Sequence, residues 1–204
     1  MNIKHYLFAC LSLLALTACS EADDTVEEFA DWQNKNEAYF QNAYQQARLS
    51  NWSNAVIPSY AKGDGSTTVA STDCILVEPM TSDIASLVEG SVTNSPYFTD
   101  SVSVHYRGYL IPSTTYKSGY QFDSSYSGTF DPDVAQPSTF SVSGVVEGFS
   151  TALQHMHRGD CWRVTMPYQL GYGDTDYNGI PGYSTLIFEI RLIDFWSAKK
   201  GDRN

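Results

Sequence analysis

From Cys74 onward, the apolar residues of this chain recur at every second position, and that period restricts the fold more than any other feature of its 204 residues. Val102, Val104 and Tyr106 alternate with Ser103 and His105. Trp162, Val164 and Met166 alternate with Arg163 and Thr165, and Leu186, Phe188 and Ile190 repeat the pattern. Successive side chains of a strand point to opposite sides, so each of these segments predicts a strand with one buried and one wet face, as in an antiparallel sheet covered on one side. Strands are expected over residues 74–78, 101–111, 139–144, 161–166 and 184–195. In "EGFSTALQHM", Phe149, Ala152, Leu153 and Met156 fall at i, i+3, i+4 and i+7, which is the stripe of one short helix covering the sheet. The predicted class is α+β: a bent antiparallel sheet wrapped around one short helix, with an N-terminal helical extension.

That extension is "TVEEFADWQNKNEAYFQNAYQQAR", residues 25–48, which lacks Gly and Pro, opens on acidic residues and spaces Phe29, Trp32, Phe40, Ala43, Tyr44 and Ala47 at helical intervals. One amphipathic helix is predicted, either packed on its own domain or paired with a second copy in a homodimer. Residues 56–72 are rich in Ser, Gly and Thr and read as a linker.

The first residues, "MNIKHYLFACLSLLALTACS", place Lys4 and His5 before an apolar run too short to span a bilayer comfortably, as a secretory signal does. The run ends in Leu16-Thr17-Ala18-Cys19, which resembles the lipobox of bacterial lipoproteins and implies lipid on Cys19 and anchorage to a membrane. The implied location is the Gram-negative cell envelope, lipid-anchored to the outer membrane on its periplasmic or surface side. The domain reading is therefore 1–18 signal peptide, 19–55 acidic tether and helix, 56–72 linker, 73–196 folded domain and 197–204 polar tail.

A formal net charge of −11 without a cluster of Lys or Arg argues against nucleic acid as a partner. Four cysteines are present; with Cys10 in the leader and Cys19 lipidated, Cys74 and Cys161 remain as one arithmetically available disulfide. Period-two counting places Cys161 on the wet face with Arg163, and Cys74 opposite Ile75 and Val77. Whether their strands are neighbours or in register stays open. His155 and His157 lack a third ligand at a known spacing, and no metal or cofactor is expected.

Read in order, "VSVHYRGYL", "FDSSY", "VVEGFSTALQHMHRGD", "MPYQLGYG" and "IPGYSTLIFEIRLIDF" resemble the FKBP-type peptidyl-prolyl cis-trans isomerases over about residues 73–196. The resemblance implies an FKBP-like fold, proline-containing polypeptides as partners, and a pocket of Tyr106, Phe122, Asp123, Phe140, Val145, Val146, Phe149, Tyr172, Ile180 and Phe188. Tyr106, Asp123 and Tyr172 are its implied catalytic members; Phe122, Phe140, Val145, Val146, Phe149, Ile180 and Phe188 bind substrate, with Phe149 as the floor. The Tyr172 hydroxyl and the Ile180 N–H would hold substrate carbonyls, and Asp123 would act on the rotating carbonyl or fix Tyr106. The sequence departs from the family pattern in Ser138 and Gly182 and in lacking a histidine between Tyr172 and Ile180. It also carries insertions at 80–100 and 126–138, both expected to border the cleft. Two functions follow: an isomerase assisting the folding of exported or envelope proteins, or a binding module or chaperone on the same fold with little isomerase activity.

Overall fold

The computed structural model describes residues 27–61, 69–88 and 93–197. The leader, Cys19, the acidic segment up to residue 26 and the polar tail from residue 198 lie outside the described residues.

Among the described residues, seven strands form one antiparallel sheet: β1 (Val56–Pro58), β2 (Cys74–Pro79), β3 (Asp100–Leu110), β4 (Gln121–Ser124), β5 (Ser138–Ser141), β6 (Cys161–Met166) and β7 (Leu186–Ser197). The order is β1-β2-β6-β7-β3-β4, with β5 also paired to β3. β3 and β7 run side by side along their whole lengths, placing Tyr106 opposite Ile190 and Gly108 opposite Phe188. β4 and β5 share one edge of β3, on Arg107–Tyr109 and Ser101–Val104 respectively, because the second insertion separates them.

The short helix α2 (Glu147–Leu153) crosses the concave face and buries Phe149, Ala152 and Leu153 against Ile75, Val104, Val164, Met166, Leu186 and Ile190. It lies close because of Gly148, where an added Cβ would stand 2.6 Å from Met166 Sδ and 3.2 Å from Ile75 Cγ2. The alternating apolar residues of the sequence are this concave layer.

The other face is wet only in part, which corrects the half-solvated sheet expected from the period: His105 and Arg191 are buried there, while Arg163 and Thr165 are half-buried and Glu78 is exposed. The helix α1 (Trp32–Arg48) covers its β2–β6 side, where Tyr39, Ala43 and Ala47 sit beside Leu76, Glu78, Arg163 and Thr165. The two insertions cover the β3–β7 side. Asp83 from the first and Tyr126 and Phe130 from the second close over Arg191 and His105, which are 5% and 0% exposed. These insertions thus cover part of the convex face, and none of their described residues lines the cleft described below.

Three further expectations are revised. Helix α1 begins at Trp32 rather than near Thr25, since Asp31 takes a left-handed conformation (φ 54, ψ 35) that ends the preceding turn. Inside the segment read as linker, Val56–Pro58 pairs with β2 and buries Ile57, and Pro58 is tolerated there because an edge strand needs only one side of its ladder. The segment read as a strand to Gly144 leaves the ladder at Ser141 and continues as a 3₁₀ turn, Val142–Gly144.

Cys74 and Cys161 are both free thiols, and both are buried. Their strands are neighbours, but Leu76 pairs with Thr165 and Pro79 with Trp162, so the two cysteines lie at opposite ends of the β2–β6 ladder. Six residues of offset at ~3.3 Å each is about 20 Å, far outside the ~7 Å that a disulfide can bridge between Cα atoms. Burial on the face opposite Trp162 places Cys161 against Asp83, its Sγ 3.6 Å from Oδ1, where a wet position was expected.

Candidate active site

Between α2 and the β3–β7 pair lies a cavity of about 230 Å³ lined by Tyr106, Asp123, Phe140, Gly144, Val145, Val146, Phe149, Tyr172, Tyr177 and Phe188. β3 contributes Tyr106, β4 Asp123, β5 Phe140, β7 Phe188 and the first helical turns of α2 Phe149. Phe149 is 4% exposed and forms the floor: its ring meets Phe188 at 5.1 Å and 89°, Tyr106 at 6.1 Å and 89°, and Phe140 at 6.4 Å and 77°. Edge-to-face contacts of this kind hold each ring in one orientation, so the walls are preformed.

Polar groups are few and sit at the rim. The Tyr106 hydroxyl donates to Asp123 Oδ2 at 2.7 Å, and the other carboxylate oxygen, Oδ1, accepts from the Ser124 N–H at 2.8 Å. Burial first, and the Asp123 carboxylate second, hold the Tyr106 phenol well above its usual range, so it stays a hydrogen-bond donor. Burial also raises Tyr172. Its ring stacks on Tyr177 at 4.5 Å and 13°.

Of the ten residues expected in the pocket, eight line this cavity; Phe122 and Ile180 do not. Phe122 stands behind the wall, its ring edge-on to Phe188 at 5.5 Å. Both rings cross over Gly108, where a Cβ would come within 2.6 Å of Phe122 and 2.8 Å of Phe188. Ile180 is 5% exposed in the core, and its N–H donates to Tyr177 O at 2.9 Å, so the donor expected to hold a substrate carbonyl is already engaged. Val146 offers an alternative: it lines the cavity as the residue before α2, and no acceptor faces its N–H among the described residues.

Sequence reasoning missed Gly144 and Tyr177. Tyr177 stands in a turn-rich loop without periodicity, and only the tyrosine content of "YGDTDY" hinted at a rim. The loop also explains Gly182. A Cβ there would lie 2.4 Å from Asp174 O, and the Gly182 N–H donates to Asp176 Oδ1 at 2.9 Å, a bond that proline could not make. A wider hollow of about 650 Å³ at the far end of α2, lined by Tyr60, Tyr97, Asp100 and Trp196 among others, has no comparable ring of facing aromatics. His155 Nδ1 is occupied by Thr151 O at 2.9 Å, and His157 pairs with Asp160 at 3.4 Å.

Residues 93–193 match the family model of the FKBP-type peptidyl-prolyl cis-trans isomerases. This domain belongs to that family. The FKBP domain is 41% identical over 98 residues to the FKBP-type peptidyl-prolyl cis-trans isomerase FkpA of Buchnera aphidicola, a match covering 48% of this chain and 34% of that protein. It is 38% identical over 116 residues to the macrophage infectivity potentiator of Trypanosoma cruzi, covering 56% of this chain and 53% of the relative. The crystal structure of FkpA from Escherichia coli superposes with a TM-score of 0.55 at 24% identity, covering 83% of this chain and 63% of that one. A peptidyl-prolyl cis-trans isomerase from Pseudomonas syringae gives a TM-score of 0.52 at 23% identity over 80% of this chain and 95% of the other. These two likenesses bear on the FKBP fold alone. The chain spans from about a third to about half of the length of these two curated relatives.

Proposed function

We propose that the chain is a peptidyl-prolyl cis-trans isomerase acting on exported or envelope polypeptides, anchored through lipid on Cys19. The observation that carries the reading is the preformed aromatic box of Tyr106, Phe140, Phe149 and Phe188, closed at its rim by the Tyr106–Asp123 hydrogen bond.

The chemistry needs no covalent step. Rotation about an X-Pro bond must break amide resonance over a barrier of ~18–20 kcal/mol. The twisted amide has lost that resonance and is less polar than the planar one, so a dry aromatic box favours it over the ground state. Each ~1.4 kcal/mol of that preference speeds rotation about tenfold. In this chain Phe149 and Phe188 would contact the prolyl ring, while the Tyr172 hydroxyl and the Val146 N–H would hold the flanking carbonyl oxygens. Asp123 would keep Tyr106 oriented and face the rotating carbonyl from the edge.

The decisive experiment is a protease-coupled assay on several X-Pro peptides. A rate above background supports the reading, whereas folded protein without activity toward any peptide makes the domain a binding module or chaperone. Mass spectrometry of the mature protein from its host tests the anchor: a diacyl or triacyl cysteine at position 19 is expected, and an unmodified N-terminus elsewhere refutes it.

A further inference from the structure

The loop between β6 and β7 carries two pocket residues, Tyr172 and Tyr177, on a backbone held both by its own bonds and from outside. Asn178 and Tyr183 adopt positive φ of 47 and 63, a conformation disfavoured for residues with a Cβ unless neighbours impose it. Within the loop, the Tyr183 N–H donates to Gly173 O at 3.0 Å, and Tyr177 and Ile180 exchange two bonds of 2.9 Å. Its downstream end is tied from outside. Trp32 Nε1 of α1 donates to Ser184 Oγ at 2.8 Å, and that hydroxyl donates to Pro181 O at 2.6 Å. One turn later, Asn36 Oδ1 accepts the Thr185 N–H at 2.7 Å, and the Asn36 carbonyl accepts from Thr185 Oγ1 at 3.3 Å. Asn36 is 0% exposed, Ser184 3% and Thr185 1%, so these bonds are shielded from water.

We infer that α1 is a brace for one wall of the pocket, with Trp32 and Asn36 as positioning residues that act through Ser184 and Thr185 on Tyr172 and Tyr177. A helix attached only by packing would need no more than the rings of Trp32 and Phe40. Here a fully buried asparagine spends its amide on two backbone groups: Nδ2 donates to Trp32 O at 2.8 Å, fixing the helix turn, and Oδ1 receives the loop. Leaving Thr185 N–H without that acceptor in a dry site would favour local opening of the loop. The kinetic consequence rests on the isomerase reading; the brace itself does not.

Two readouts on the full chain test it: hydrogen exchange of the amides in 172–183, and kcat and KM for a short X-Pro peptide. Asn36→Ala should speed exchange in 172–183 by about tenfold and lower kcat/KM several-fold, mostly through KM. Ile57→Val, a core truncation in β1 away from the loop, should leave both readouts unchanged. Trp32→Phe keeps an aromatic ring, though a smaller one, and removes the Nε1 donor; it takes the place of Asn36→Ala should that variant not fold. Unchanged exchange in 172–183 in the helix variants, or an equal change in Ile57→Val, overturns the brace. Faster exchange in a chain that shows no isomerase activity keeps the brace and refutes the isomerase reading.

Discussion

The Tyr106 hydroxyl donates to Asp123 at 2.7 Å across the rim of the aromatic box, joining the centre of β3 to the exposed end of β4. Because Asp123 is exposed, truncating it removes an interaction without opening the core. Asp123→Ala is expected to lower kcat/KM about tenfold while Tm stays nearly constant, since in the proposed mechanism the carboxylate faces the rotating carbonyl. Tyr172→Phe should cost less, as the ring that shapes the rim remains. Isomerase rates and melting curves for both variants decide the ordering; an Asp123→Ala protein at full activity on every peptide tried would remove the carboxylate from the mechanism.

Phe188 joins floor to wall, touching Phe149, Phe122 and Tyr106, so its loss should be felt twice. Phe188→Ala is expected to cost about 3–5 kcal/mol of stability, the usual range for a buried Phe, and to abolish most activity. Gly108→Ala attacks the same place from the opposite side. The new methyl must displace the Phe122 and Phe188 rings, at a cost of about 1–3 kcal/mol for overpacking, and activity should fall with it. Wild-type Tm and rate for Gly108→Ala would mean that these rings do not hold the pocket's shape.

Both thiols are buried, and burial is the largest cause raising the pKa of each. A chain starting at Ser20 should therefore react slowly with an alkylating reagent when native and show two thiols when unfolded, with or without reductant. One or no thiol in unreduced, unfolded protein would contradict the ladder register that separates Cys74 from Cys161.

The concave layer was legible because period-two alternation survives wherever one face packs on α2: Val102, Val104, Val164, Phe188 and Ile190 were all readable as core. The convex layer was not. His105 and Arg191 have the polarity of solvent-facing residues, and only the distant partners Asp83, Tyr126 and Phe130 make them interior; no local pattern records such partners. The site divides in the same way. Rings on strands were found through their motifs, whereas Tyr177 and the engaged Ile180 N–H depend on how an aperiodic loop closes on itself. The brace was illegible for a related reason, since Asn36 and Thr185 lie 149 residues apart.

His105 supplies the last prediction. Neither ring nitrogen has a hydrogen-bond partner among the described residues, and the side chain is 0% exposed. Around it stand Arg191 from β7, Asp83 from the first insertion, and the rings of Tyr126 and Phe130 from the second. Burial first, and the Arg191 guanidinium second, depress its pKa; the Asp83 carboxylate opposes them without prevailing. A histidine whose folded pKa lies below its unfolded value of ~6.5 binds its proton more readily when unfolded. The stability it lends is thus whole above pH ~6.5 and declines as pH falls through that value. Asp83 is lowered as well, but a carboxylate's contribution is lost only at more acidic pH, so the two are separable. Tm should drop between pH 7 and pH 5 in the wild type, and His105→Gln, whatever its stability at pH 7, should flatten that slope. An equal slope in both proteins would place the titrating group elsewhere and leave His105 without a part in acid lability.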